Sequence, residues 1–425
     1  MRPLNLVAGE GFQALMQYLE PGYVLPGRTF FTSYLEKRHD DLMSKLGDQL
    51  SNIEHASLTT DIWTSIRMEA YMSVTIHFVT DDWKLERYVL ATLPLEERHT
   101  GENIAKWILR VLEKFSIDPS KIRALVTDNG SNMLAAAKKL YDEHQWVPIK
   151  CSAHSLQLSV NAGLNGKTIS RAVGAARSLV EHFKKSVHAT TALKAKQVQM
   201  STPKNKLIQD VSTRWNSTLH MIQRLLEQRW PVSAVLSDNT ITDKSKGYLD
   251  LKSEQWDTLA DLQSLLQLFE SATTFFSGDQ YVSLSGVVPV IKGLILALRH
   301  KQDDSPSVSE YKNVTRKQLT DRYDVDTMPE DHSFIATALK ASAMDPRFSH
   351  LRFVDDATAT EIKRMLHKEI GNTGRECSNK TPATTSDSDP VLDSLFGHFE
   401  ESDSTTGNSN VEAIFDNYFS EKNAT

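Results

Sequence analysis

"ALVTDNGSNM", residues 124–133, sets an acid directly after an apolar run. Ala124-Leu125-Val126 has strand composition, Asn129-Gly130 is a turn pair, and Ser131 and Asn132 are good helix caps before "MLAAAKKL". The local pattern is strand, tight turn, helix, with Asp128 at the carboxyl end of the strand. Ligands of open α/β sheets gather at that end. A lone aspartate there serves equally well as a cap for free N–H groups of the following helix. Only a second acid at a matching place separates the two.

Upstream, the hydrophobic period is that of strands. "SLTTDIWTS" (57–65) is β-branched, and "AYMSVTIHFV" (70–79) alternates with Ala70, Met72, Val74, Ile76 and Phe78 on one side. "DDW" makes a hairpin loop before "KLERYVLATL" (84–93), so three strands form a meander. "ENIAKWILRVLEKF" then carries Ile104, Trp107, Ile108, Val111, Leu112 and Phe115 on one helical stripe, opened by Thr100 and Glu102. "KIRALVTD" supplies a fourth strand, residues 131–141 a second helix and "WVPIKC" a fifth strand. The order β-β-β-α-β-α-β, with right-handed crossovers, is the ribonuclease H-like arrangement. Its first and fourth strands are neighbours, and each is expected to end in an acid, Asp61 and Asp128. Two carboxylates at one sheet edge can hold divalent cations for phosphoryl transfer; the plain alternative for Asp61 is a cap of the turn into "IWTS".

The remainder sets limits. A chain of 425 residues holds two or three domains and buries a large core. Its net charge of −6 gives no global attraction to nucleic acid, so a basic surface must be local. Two cysteines, Cys151 and Cys377, make no disulfide framework and suit a reducing compartment. No apolar run spans a bilayer and no signal peptide is evident, so no membrane partner is expected. The expected organisation is a helical linker region at 1–54, a ribonuclease H-like core at 55–154, an all-α insertion domain at 155–370 and a flexible low-complexity tail at 371–425. The tail is Ser, Thr, Asn, Asp and Gly-rich, with short apolar stretches "VLDSLFGHF" and "VEAIFDNYF".

Five stretches in order, "LTTDIWTS", "VTDNGSNM", "CSAHSLQLSV", "DVSTRWNSTLHMIQRLLEQR" and "SAMDPRFSHLRF", resemble the hAT transposases and the BED-type zinc-finger proteins derived from them. "RPLNLVAGEGFQALMQYLEPGYVLPGR" is similar to the linker helices before that family's core, and the resemblance covers roughly residues 1–370. It implies a ribonuclease H-like core interrupted by a long helical insertion, with Asp61 and Asp128 as the first two acids of an Asp-Asp-Glu metal site. By the same comparison, the BED finger and the C-terminal dimerisation region, which bears the third acid, have no counterpart between Met1 and Thr425. Glu361 and Glu369 are acids without a matching motif. The cofactor expected is Mg²⁺ or Mn²⁺, held weakly, with no zinc within this chain.

Other candidates are weighed singly. Cys151 and His154 form a Cys-x-x-His without a second close pair, short of the four ligands of a structural zinc site. The resemblance puts them in a turn beside the active site that positions the core and DNA; a buried thiol and a hydrogen-bonded histidine is the bland alternative. Arg214 could contact phosphate. Trp215 reads as a core tryptophan by composition, while the resemblance places it near the active site, where an indole stacks on an unpaired base. Lys184, Lys185, Lys194, Lys196, Lys204 and Lys206 fall in a stretch without acids, which suits sequence-tolerant phosphate contacts or a solvated face. The expected function is a nuclear, transposase-derived protein that binds DNA and regulates transcription without transposition activity. A fragment of an active metal-dependent DNA transposase, or a module binding protein partners through its helical domain, stand as alternatives.

Overall fold

The computed structural model describes residues 4–278 and 284–373, with side chains described up to residue 369; the stretches "VLDSLFGHF" and "VEAIFDNYF" lie outside these residues. The chain divides between Pro148 and Ile149 into two compact units.

In the first unit, helices α1 (Glu10–Leu19) and α2 (Arg28–Ser51) precede the meander β1 (Ala56–Thr64), β2 (Ala70–Val79) and β3 (Leu85–Pro94). Helix α3 (Gly101–Lys114), strand β4 (Ile122–Thr127) and helix α4 (Ser131–His144) follow, and strand β5 (Val147–Lys150) runs across the division between the units. The sheet order is β3-β2-β1-β4-β5. β1 is antiparallel to β2 and parallel to β4, which is the mixed sheet expected from the element order. Alternation does what the sequence pattern requires: Leu58, Met72, Val74, Ile76 and Phe78 are buried, and Ile104, Trp107, Ile108, Val111 and Leu112 of α3 join them in one core. Thr100 caps α3 by accepting from the Asn103 N–H at 3.3 Å. Close approach of α3 and α4 depends on Gly101, where a Cβ would lie 2.7 Å from that of Ala135.

The pairing of β1 with β4 is irregular at its start. Ala56 stands opposite Ile122, but Ser57 stands opposite Ala124, so Arg123 is an extra residue in β4. From there the register is regular to Thr59 opposite Val126. Arg123 is tied down by Nε and Nη2 contacts of 3.2 and 3.0 Å to His55 Nδ1.

The second unit is helical among its described residues: α5 (Ser152–Leu164), α6 (Lys167–Lys185), α7 (Val187–Gln199), α8 (Trp215–Glu227), α9 (Arg229–Ser237), α10 (Ser253–Phe276), α11 (Leu284–Ala297), α12 (Pro306–Tyr323), α13 (Phe334–Met344) and α14 (Asp356–Thr373). α10 lies at its centre and packs against α5, α6, α8, α11 and α12. Leu259, Leu262, Leu266, Phe269 and Phe275 form its buried side. The "DPRF" stretch is a clasp within this unit. Asp345 accepts from Ser285 Oγ at 2.7 Å and pairs with Arg347 at 2.8 Å, joining the start of α11 to the end of α13. Burial pushes the Asp345 carboxyl up, yet Arg347 and the Ser285 hydroxyl outweigh it and hold the group below the usual carboxylate range.

Candidate metal-binding edge and nucleic-acid interface

The last registered pair of β1 and β4 is Thr59 opposite Val126. Two residues further along each strand stand Asp61 and Asp128. Neighbouring strands lie about 4.8 Å apart, so a parallel pair continued in this register brings the two aspartates level. Asp61 does not end its strand, because β1 continues to Thr64 against β2, with Asp61 opposite Ser73. It does lie past the last pair with β4. Asp128 falls one residue beyond the end of β4.

Asp61 is exposed and Asp128 half-buried. The Ile62 N–H donates to Asp61 Oδ1 at 3.0 Å, and the Gly130 N–H donates to Asp128 Oδ1 at 2.8 Å. Asp128 therefore performs the turn-closing task of an Asx motif as well. The N-cap of α4 is Gly130, with no side-chain cap bond, instead of the expected Ser131 or Asn132. Asn132 spans from its Nδ2 to the His99 carbonyl at 3.1 Å, joining the starts of α3 and α4 behind the turn. Each local bond uses one oxygen and steers its carboxylate; a carboxylate oxygen accepts from more than one direction. The donor set is anionic oxygen, which fits Mg²⁺ or Mn²⁺ better than zinc. Among the described residues no three His, Cys, Asp or Glu side chains gather as a metal site. Of the two unmatched glutamates, Glu361 pairs with Arg364, and Glu369 accepts from Lys340 at 2.6 Å.

In the helical unit, Cys151 is the half-buried N-cap residue of α5 and His154 lies half-buried in its first turn. Arg214 is exposed at the N-cap of α8. The turn that presents it is built by its motif neighbours. Asp210, with its side chain 2% exposed, pairs with Arg177 Nε at 2.7 Å and accepts from Thr218 Oγ1 at 2.9 Å. Ser217 Oγ accepts the Val211 N–H at 2.7 Å, and Gln157 Nε2 donates to the Thr213 carbonyl.

Trp215 corrects the expectation of a base-stacking residue. It is 2% exposed and packs edge-on against Phe269 of α10, with ring centroids 6.3 Å apart. One residue after the exposed Arg214, the turn of α8 rotates the indole into the core, where no nucleobase reaches its face.

Lys184, Lys185, Lys194, Lys204 and Lys206 are exposed, and Lys196 is half-buried. Lys185 pairs with Glu181 on α6, and Lys196 lies 3.6 Å from Asp238. The other four have no ion pair among the described residues.

A family model described as the ZBED1 RNase-like domain matches residues 59–151, and one described as the ZBED1 RNase-like helical domain matches residues 149–265. Together the two models match residues 59–265, and with the relatives below they support a hAT transposase-derived, BED-type protein. A putative AC transposase of Zea mays is 28% identical over 292 residues, covering 66% of this chain and 35% of that protein. Zinc finger BED domain-containing protein 6 of Homo sapiens is 27% identical over 402 residues, covering 88% and 39% respectively. Human zinc finger BED domain-containing protein 4 is 23% identical over 385 residues, covering 87% and 31%. The chain thus spans about a third of the length of these curated relatives. Among solved structures, the Drosophila P element transposase strand transfer complex aligns with 88% of this chain and 93% of that one, at 12% identity and a TM-score of 0.28.

Sequence reasoning passed over Trp63, which the geometry sets beside Asp61. Residues 61 and 63 share a face of β1, and Trp63 is 41% exposed, stacked on Tyr71 across the strand pair at 5.9 Å. The signal was present in "DIW": a spacing of two on a strand keeps acid and indole on one face. Asp210 and Ser217 were passed over too, although both belong to the quoted motif, because their role is to hold a turn instead of touching a ligand.

Proposed function

We propose that the chain is a nuclear, transposase-derived protein that binds DNA weakly and without sequence preference, and that acts in transcription regulation instead of transposition. The observation that supports this reading is the parallel register of β1 and β4 up to Thr59 opposite Val126, which, continued by two residues, would bring Asp61 and Asp128 level at the carboxyl end of two neighbouring interior strands of a ribonuclease H-like sheet. A hard cation held there would supply positive charge to a DNA phosphate oxygen. Asp61 and Asp128 bind and orient at that edge, and the Ile62 and Gly130 N–H groups keep each carboxylate aimed. Trp63, stacked on Tyr71, offers an apolar surface two residues from Asp61. In the helical unit, Arg214 and the exposed lysines supply phosphate contacts whose strength falls steeply with salt.

An in-line transfer clamps both the attacking and the leaving oxygen. Two carboxylates hold such a clamp poorly, so weak Mn²⁺ binding without strand cleavage is expected of this chain alone. The test is a Mn²⁺ titration together with nicking of end-labelled duplex by wild type and Asp128→Asn. Metal binding that depends on Asp128, with no nicking, supports the reading. Nicking by wild type that the variant loses makes the chain part of an active transposase, and metal binding indifferent to Asp128 removes the site.

A further inference from the structure

The turn joining β1 to β2 carries two apolar side chains in water. Ile66 is fully exposed and Met68 is 84% exposed, with the exposed Arg67 between them. Single exposed apolar residues are ordinary on protein surfaces. Here the pair sits on a built support. The Ser65 N–H donates to the Glu69 carbonyl at 2.7 Å, and the Met68 N–H to the Ser65 carbonyl at 2.9 Å. Ser65 Oγ accepts the Arg67 and Glu69 N–H groups, both at 3.2 Å. Met68 holds a left-handed φ of 64°, a conformation that disfavours side chains. Below the turn, the Trp63–Tyr71 stack stiffens the stem, and Tyr71 Oη donates to Glu69 Oε2 at 2.9 Å.

The stem is the strand that bears Asp61. Thr64, the last paired residue, lies three residues beyond it, or about 10 Å at strand rise. A phosphate held at the Asp61 edge would leave the turn about three or four base steps away along a duplex. Proteins that kink DNA insert apolar side chains such as Ile and Met between base steps and use neighbouring Arg to hold the groove. Ile66 and Met68 have that chemistry, and Arg67 supplies the cation.

We propose that Ile66, Arg67 and Met68 form a wedge that enters duplex DNA and unstacks a base step close to the carboxylate edge. The occupant is double-helical DNA, so the inference rests on the DNA reading above. Glu69 is the one acid of the turn. Its bond to Tyr71 Oη draws it to the stem, while Ile66 stands fully and Met68 largely in solvent.

The test uses the full chain and a short duplex containing 2-aminopurine, whose fluorescence rises on unstacking, with anisotropy of the same duplex reporting binding independently. Wild type should raise the fluorescence several-fold at saturation. Ile66→Ser/Met68→Ser should keep its melting temperature and most of its binding while losing most of that rise, and Ile66→Val/Met68→Leu should restore it. Binding without any rise by wild type overturns the wedge and leaves the DNA reading intact. So does an equal rise in the serine variant. Absence of binding by anisotropy overturns both. Concentration-dependent self-association of wild type that the serine variant loses would make the turn a contact between copies, and the wedge would fall.

Discussion

Trp63 and Trp215 sit in stretches of similar appearance, Asp-Ile-Trp-Thr-Ser and Thr-Arg-Trp-Asn-Ser, and meet opposite fates. Trp63 is 41% exposed on a strand, stacked on a cross-strand tyrosine; Trp215 is 2% exposed on a helix, set against Phe269. The strand keeps the indole on the face of Asp61, because every second residue shares a side. The helix turns about 100° per residue, so the neighbour of an exposed arginine can point inward. The acids contrast in the same way. Asp61 is exposed at the sheet edge, whereas Asp345 is held by Ser285 and Arg347 inside the helical unit. A chemical motif names the residues of interest; the period of the element beneath it decides which of them meets solvent.

The strongest way to break the comparison is to truncate both indoles. Trp215→Ala should cost about 3–5 kcal/mol, as for a large aromatic removed from a packed core, and Trp63→Ala should cost far less. Paired denaturant titrations check this. Similar losses at the two positions would show that Trp63 is as structural as Trp215.

Asp345 sharpens the contrast between the acids. Its folded pKa is depressed, so its stabilisation is fully present above the unfolded aspartate value of about 3.9 and is lost as pH falls through the lower folded value. Asp345→Asn should cost about 1.5–3 kcal/mol near neutrality, the range for charge-assisted hydrogen bonds. The gap between variant and wild type should close in acid below that range. A gap independent of pH would mean that shape, not charge, holds the clasp.

For the interface, exchanging Lys184, Lys194, Lys204 and Lys206 for glutamine should flatten the plot of log affinity against log salt by up to about 0.9 for each phosphate no longer neutralised. Circular dichroism should show the fold intact. An unchanged slope would make the run a solvated face.

The smallest effect is expected at Asp61. Asp61→Asn should leave stability nearly unchanged or raise it slightly, since it relieves repulsion from Asp128. Thermal and urea melts measure it, and a loss above about 2 kcal/mol, beyond ordinary cap removal, would make the acid structural.

Much of the sheet was legible because strand and helix periods are local. The meander, the α3 stripe and the neighbour relation of β1 and β4 all follow from element order and right-handed crossovers. What escaped is non-local. Nothing near Trp215 announces Phe269, which arrives on α10. The run of lysines contains no acid, yet Lys196 finds Asp238, from beyond α8, near the end of α9. Asp128 was posed as either cap or ligand, but an aspartate has two oxygens, and one already closes the turn onto Gly130.

The extra residue at Arg123 works as a vernier between two strands. Ahead of it the numbering offset between partners is 66, from Ala56 and Ile122; after it the offset is 67, from Ser57 and Ala124. Continued past the last pair, the first offset would set Asp61 level with Thr127 and the second sets it level with Asp128. Spacing therefore encodes the acid pair as firmly as residue identity does. Loss of the single codon for Arg123 would only remove the bulge, leaving Ala56 opposite Ile122 and Ser57 opposite Ala124 in one regular register, whereas a codon lost between Ala124 and Asp128 would keep both aspartates in the sequence and shift them out of step, a form of inactivation that inspection of single residues would miss.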